Sequence, residues 1–173
     1  MFNQQKLLGS TRRVIRLDTR KGIGITNQIE PPPTQQTLER EQRLIQRFGS
    51  HWEQRASPRG IYNCAGHVWA SRRTTIVDVV EWDKIYDHDN YRELSDSETP
   101  KPGDLAVYFD ANIGYMHVGQ VICVEPGLAE GARPIPKILS KWDSASGEYI
   151  HYPQDVPFRI HFPEFQLKYW TDR

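Results

Sequence analysis

A cysteine and a histidine in this chain have the spacing and surroundings for nucleophilic chemistry. Cys64 follows Asn63, a residue type that caps helices, and stands before Ala65, Val68 and Trp69, which share one helical face. That puts Cys64 in the first turn of a predicted helix, where unpaired N–H groups and the positive end of the dipole favour a thiolate. His117 opens a segment in which Val118, Gln120, Ile122 and Val124 alternate with His117, Gly119, Val121 and Cys123, the pattern of a strand. A stiff strand packed on the helix could hold the imidazole within reach of the thiol, as a thiol hydrolase requires. The plainer reading of Cys64 is a small core residue on an apolar helix face.

Other candidates for chemistry are weaker. Cys123 lies six positions beyond His117, roughly 20 Å along a strand, so it reads as a buried apolar residue. With two cysteines there is no disulfide framework and no CxxC zinc pair. Cys64 with His67, or His88 with Asp87 and Asp89, has ligand chemistry, but solvated turn chemistry explains the second group and no metal or cofactor is expected. The tryptophans Trp52, Trp69, Trp82, Trp142 and Trp170 read as core rather than as a sugar groove.

The elements that must position these residues follow from periodicity. Residues 34–48 carry Leu38, Ile45 and Phe48 on one stripe among helix formers, with Gly49 as a stop. After the turn residues Pro58 and Gly60 comes the Cys64 helix, and residues 75–86 predict a third helix whose Ile and Val content also suits a strand at its start. From Asp104 to Phe109 the period is two, residues 112–114 form a turn, and the segment from His117 completes a hairpin. Further strands are expected at 137–142, 148–152 and 157–162, the last with Phe158, Ile160 and Phe162 alternating against Arg159 and His161. Helices first and strands after predict an α+β domain, with N-terminal helices packed on a central antiparallel sheet.

Composition bounds the rest. The 173 residues fit one domain, and Lys+Arg and Asp+Glu balance at 22 each, so no global field favours nucleic acid or a membrane surface. No stretch approaches the roughly 20 apolar residues of a membrane span, and no secretory h-region opens the chain. Residues 1–33, basic at first and ending in Pro31-Pro32-Pro33, read as a flexible arm and Pro-rich linker before a domain at 34–173. A cytoplasmic location is the default expectation, with export needing a route other than a classical signal.

Three motifs stand in order: Tyr62-Asn63-Cys64-Ala65-Gly66-His67-Val68, Lys101-Pro102-Gly103-Asp104-Leu105 and His117-Val118-Gly119-Gln120-Val121. A helix-borne Cys, a Pro-Gly-Asp turn into a strand and then His-Val-Gly resemble the NlpC-like and CHAP-like cysteine peptidases and amidases of the papain-like superfamily, over roughly residues 60–152. With Ser140-Lys141-Trp142 followed by His151, the chain resembles more particularly a bacterial group of that superfamily marked by Asn-Cys, Gly-Asp, His-Val-Gly and Ser-Lys-Trp. The resemblance implies a papain-like fold and thiol-dependent hydrolysis of an amide in a peptide or peptidoglycan-like substrate. Cys64 would be the nucleophile and His117 the base. It also implies a polar third residue on a later strand, for which His151 is preferred and Ser140 and Asp143 are the alternatives. The Ser or Thr usual after the Cys is Ala65 here, a departure that touches the details of the pocket. Acyl transfer or deamidation, an inactive binding module on the same fold, and a toxin or effector domain delivered through the basic arm are the competing functional expectations.

Overall fold

The period-two pattern on either side of residues 112–114 folds into the expected hairpin, with Val107 opposite Val118 and Tyr108 opposite His117. The computed structural model describes residues 14–173. In chain order the elements are α1 (Gln35–Phe48), β1 (Glu53–Ala56), α2 (Cys64–Trp69), α3 (Val79–His88), β2 (Arg92–Glu93), β3 (Leu105–Asp110), β4 (Gly114–Glu125), β5 (Ile135–Lys141), β6 (Glu148–His151) and β7 (Gln166–Thr171). The strands form one antiparallel sheet in the order β1-β6-β5-β4-β3-β7-β2. The fold is α+β, with a central antiparallel sheet and few helices.

Each face of the sheet has its own core. On one side Leu105, Val107 and Val118 pack with Cys64 and Ala65 of α2, Trp82, Ile85 and Tyr86 of α3, and Ile25. On the other, Ala106, Tyr108 and Ile138 pack with Val156 and the partly buried Trp142, Phe158 and Phe165. Alternation along β3 sends successive residues to opposite cores, which is why this strand reads as almost continuously apolar.

Three expectations change. Residues 157–162 are not a strand: Pro157–Ile160 form a short 3-10 turn, because Pro157 has no N–H to give a ladder and suits the first helical position. Phe158 still turns inward, against Tyr108 and Phe165. The last strand is β7, paired with β3. The third helix begins at Val79, where the Asp78 side chain accepts from Val80 N, and Thr75 instead bridges to Gln28. The packed body also begins before Thr34. Leu17 and Ile25 join the helix-side core, and the Asn27 Nδ2 donates to the carbonyls of Ile15 and Ile25. Residues 1–13 lie outside the described residues.

On the apolar stripe of α1 the buried residue is Glu41, while Leu38, Ile45 and Phe48 are half-buried. Glu41 accepts from Gly147 N at 2.8 Å and from the Tyr149 hydroxyl, and so docks α1 on the start of β6. Burial pushes its carboxyl pKa up against those two hydrogen bonds. A carboxyl raised in the folded state costs stability as pH rises past its unfolded value, so charge is not what Glu41 contributes at neutral pH. Glu41→Gln, which keeps an acceptor, is expected to be within about 0.5 kcal/mol of the parent or above it in urea denaturation at pH 7. Glu41→Ala, which strands the Gly147 N–H, is expected to lose about 1–3 kcal/mol.

Candidate active site

Cys64 is held by its neighbours before and after it. The Asn63 side chain caps α2 by accepting from Gly66 N (2.9 Å) and also ties Ile76, accepting from its N–H (3.2 Å) and donating to its carbonyl (2.8 Å). A cap of this kind contributes about 1 kcal/mol and sets the direction from which the helix enters. With only six residues, α2 has little dipole, so the thiol depends on individual N–H groups. Burial pushes the Cys64 thiol up to about 11, and the backbone N–H groups of Val118, Ala65 and Cys64 itself pull the other way. The charge of Asp143 adds to the upward push.

His117 lies inside β4 rather than at its start. Its ring sits among Tyr108, Trp142 and Phe158, with centroids 5.6, 5.2 and 5.9 Å away. Burial holds its pKa well below the usual imidazole value, and the charges of His151 and His67 act in the same direction. The imidazole is therefore neutral at pH 7, and its Nε2 is buried without a hydrogen-bond partner. The Val118 side chain joins the core that contains Cys64, whereas His117, one residue earlier, turns to the other side of the strand. Among the described residues no hydrogen bond joins the two side chains. Cys64 packs with Val118, whose N–H favours the thiolate, one residue along β4 from His117 but on the strand's other face.

The residues considered for the third position are not independent. His151 Nδ1 lies 2.7 Å from the Tyr152 carbonyl, which only accepts, so Nδ1 carries the proton. Its Nε2, 2.9 Å from Ser140 Oγ, then accepts from that hydroxyl. Both residues are fully buried, and burial takes the His151 pKa down to about 4 against the Tyr152 bond. Both nitrogens of His151 are thus engaged, and the Trp142 ring lies against it and against His117, at 4.7 and 5.2 Å. A side chain on Gly119 would place its Cβ 2.5 Å from Ser140 Oγ, so glycine lets β5 carry a hydroxyl here. Asp143 is occupied in its own turn, accepting from Ala145 N at 2.7 Å.

A polar cluster behind Cys64 escaped the sequence reading. Glu148 accepts from the Tyr62 hydroxyl (2.6 Å) and from Arg72 Nε and Nη2 (2.6 and 3.2 Å). His67 Nδ1 stands 3.3 Å from the same carboxylate. Burial would raise the Glu148 pKa, but His67, Arg72 and Tyr62 outweigh it and hold the carboxyl well below its usual range. His67 thus faces this carboxylate, although neither of its ring nitrogens closes a hydrogen bond among the described residues. Asp89 likewise takes the Arg20 N–H (2.6 Å), and no group of three metal-ligating side chains is gathered among the described residues. Arg72 reaches Glu148 from the left-handed Ser71-Arg72 pair, with φ of 49° and 64°, a turn that residue types alone do not announce.

Comparison with protein-family models, with curated proteins and with solved structures found no match to this chain.

Proposed function

We propose that this protein is a thiol-dependent hydrolase of an amide bond, on a papain-like, NlpC-like scaffold, with Cys64 as nucleophile and His117 as base. The observation that carries the reading is the meeting at Val118: a cysteine at a capped helix start packs against the residue that follows an imidazole, and that imidazole, on the other face of the strand, has an Nε2 without a partner. In the mechanism, the Cys64 thiol proton passes to neutral His117 as sulfur attacks the carbonyl carbon. The carbonyl oxygen becomes an oxyanion, to which the Cys64 N–H is a donor. His117 returns the proton to the leaving amine, and water then cleaves the thioester with His117 again as base. In the resting protein the thiol and the imidazole lie on opposite faces of β4 with no hydrogen bond between them, so the transfer requires β4 to rearrange around His117 and bring the ring to the helix side. The substrate class is a peptide or a cell-wall-type amide.

The burial of Cys64 and its raised pKa favour a second reading, a binding module on the same scaffold without turnover. Iodoacetamide labelling of the folded protein, with Cys123 as internal reference, separates the two. The hydrolase reading expects Cys64 to react and the rate to fall at least about tenfold in His117→Ala. Labelling of Cys64 only after denaturation would leave the binding module.

A further inference from the structure

Lys141 is a buried cation on the Cys64 side of the sheet that the proposed mechanism does not use. It ends β5 and is wholly buried, an environment in which an ammonium is costly unless its donors are satisfied. Its Nζ donates to the Arg59 carbonyl (2.9 Å) and to the Ser146 carbonyl, and sits 4.7 Å from the centre of the Tyr62 ring. Arg59 and Tyr62 belong to the segment that runs directly into Cys64. The ammonium therefore ties the approach to the nucleophile to the turn between β5 and β6.

Strand register carries the same residue toward the thiol. Gln120 pairs with Leu139 in the antiparallel β4–β5 ladder, so by alternation Val118 and Lys141 lie on the same face of the sheet as that pair. Val118 packs with Cys64 in the helix-side core, and the Cys64 charge acts on Lys141 more weakly than those of Asp143, Glu148 and Glu41. Since His117 is neutral, a resting imidazolium does not hold a thiolate here.

We propose that Lys141 is a positioning residue for the thiol chemistry, its ammonium fixing the segment from Arg59 to Cys64 and supplying the positive charge against which the Cys64 thiolate forms. This rests on Cys64 being the nucleophile. The charged groups that act on the ammonium are Asp143 of the following turn, Glu148 of β6, Glu41 of α1 and Cys64 of α2. Burial lowers the amine to about 8 and these charges oppose it, so Lys141 is mostly protonated at pH 7 and loses its charge above pH 8. Its support of the thiolate disappears over the same range.

The test compares the pH dependence of Cys64 labelling by iodoacetamide in the parent and in Lys141→Met. The expected result is labelling about tenfold slower or worse at pH 7 in Lys141→Met. Should Lys141→Met fail to fold, the parent alone carries the test: the logarithm of its labelling rate is expected to rise with pH at unit slope below pH 8 and to flatten across the range where the ammonium loses its charge. Unchanged labelling at pH 7 in Lys141→Met, or a unit slope straight through pH 8 in the parent, would overturn the role of Lys141 and leave Cys64 as nucleophile. Absence of Cys64 labelling in the folded parent would overturn the nucleophile itself, and this role with it.

Discussion

The Gly66→Ala variant is expected to lose on the order of 4 kcal/mol of stability and, with it, the placement of Cys64. A Cβ on Gly66 would lie 1.7 Å from the Thr74 carbonyl oxygen and 2.9 Å from its carbon, and both are backbone atoms that no rotamer change can move. Gly66 is also where the two ends of α2 are fastened: its N–H goes to Asn63 Oδ1, and its carbonyl accepts from Ala70 N and Arg72 N. Thr74 cannot simply retreat, because its hydroxyl is bonded to Asn27 Oδ1 at 2.8 Å and its neighbour Thr75 bridges to Gln28. The helix must therefore rise off residues 74–76, breaking the Asn63 tie to Ile76 and moving the thiol away from Val118. Gly24→Ala is the control, since its Cβ would meet only Asp18 Oδ1 at 3.8 Å, an ordinary contact. Urea denaturation is expected to separate the two variants clearly, Gly24→Ala staying within about 0.5 kcal/mol of the parent. Equal stability of the two would mean that the close approach of α2 to Thr74 does not exist in solution.

That close approach shows where sequence reasoning stops. Asn63 is legible as a cap and Gly66 as a helical glycine, but nothing local says that residues 74–76 return to the same helix. The hairpin of β3 and β4 was legible because its alternation is long and its turn short. The same alternation divides His117 from Val118, yet a period of two cannot say which face meets α2, and an active-site reading naturally assigns that face to the histidine. The strand expected at 157–162 failed for a related reason: Phe158, Ile160 and Phe162 alternate, and Pro157 was the residue to weigh against them. Lys141 on a strand reads as solvent-facing until β6 and the segment before Cys64 are known to cover it. In sequence His151, Ser140 and Asp143 are alternatives for one position, whereas the β5–β6 ladder, with Ile138 opposite His151 and Ser140 opposite Tyr149, makes the first two hydrogen-bonded neighbours.

Stability is expected to fall steeply as pH drops from about 6.5 toward 4, through His117 and His151. Both are buried and neutral, with pKa values lowered chiefly by burial, His151 to about 4 and His117 well below its ordinary value. The unfolded chain takes up protons near pH 6.5 that the folded one refuses, so each histidine contributes a slope of up to about 1.4 kcal/mol per pH unit, with stability rising toward higher pH. For His151 the whole effect is about 3 kcal/mol, complete near pH 4. Glu148 acts in a different window. Its lowered carboxyl pKa adds stability that is full above the unfolded value of about 4.3 and disappears only in stronger acid. In the interval from pH 4.5 to 6.5 the histidines therefore drive the loss toward acid, opposed by the raised Glu41 carboxyl, whose cost falls as it protonates. Denaturant midpoints across that interval are expected to drop in the parent and to drop less in His151→Gln, whose side chain does not titrate. A flat profile in the parent would place both imidazoles in contact with water. The same burial that makes the fold acid-sensitive makes His117 a weak proton acceptor, so the proposed mechanism needs the rearrangement that brings the ring toward Cys64 also to hydrate it and raise its pKa.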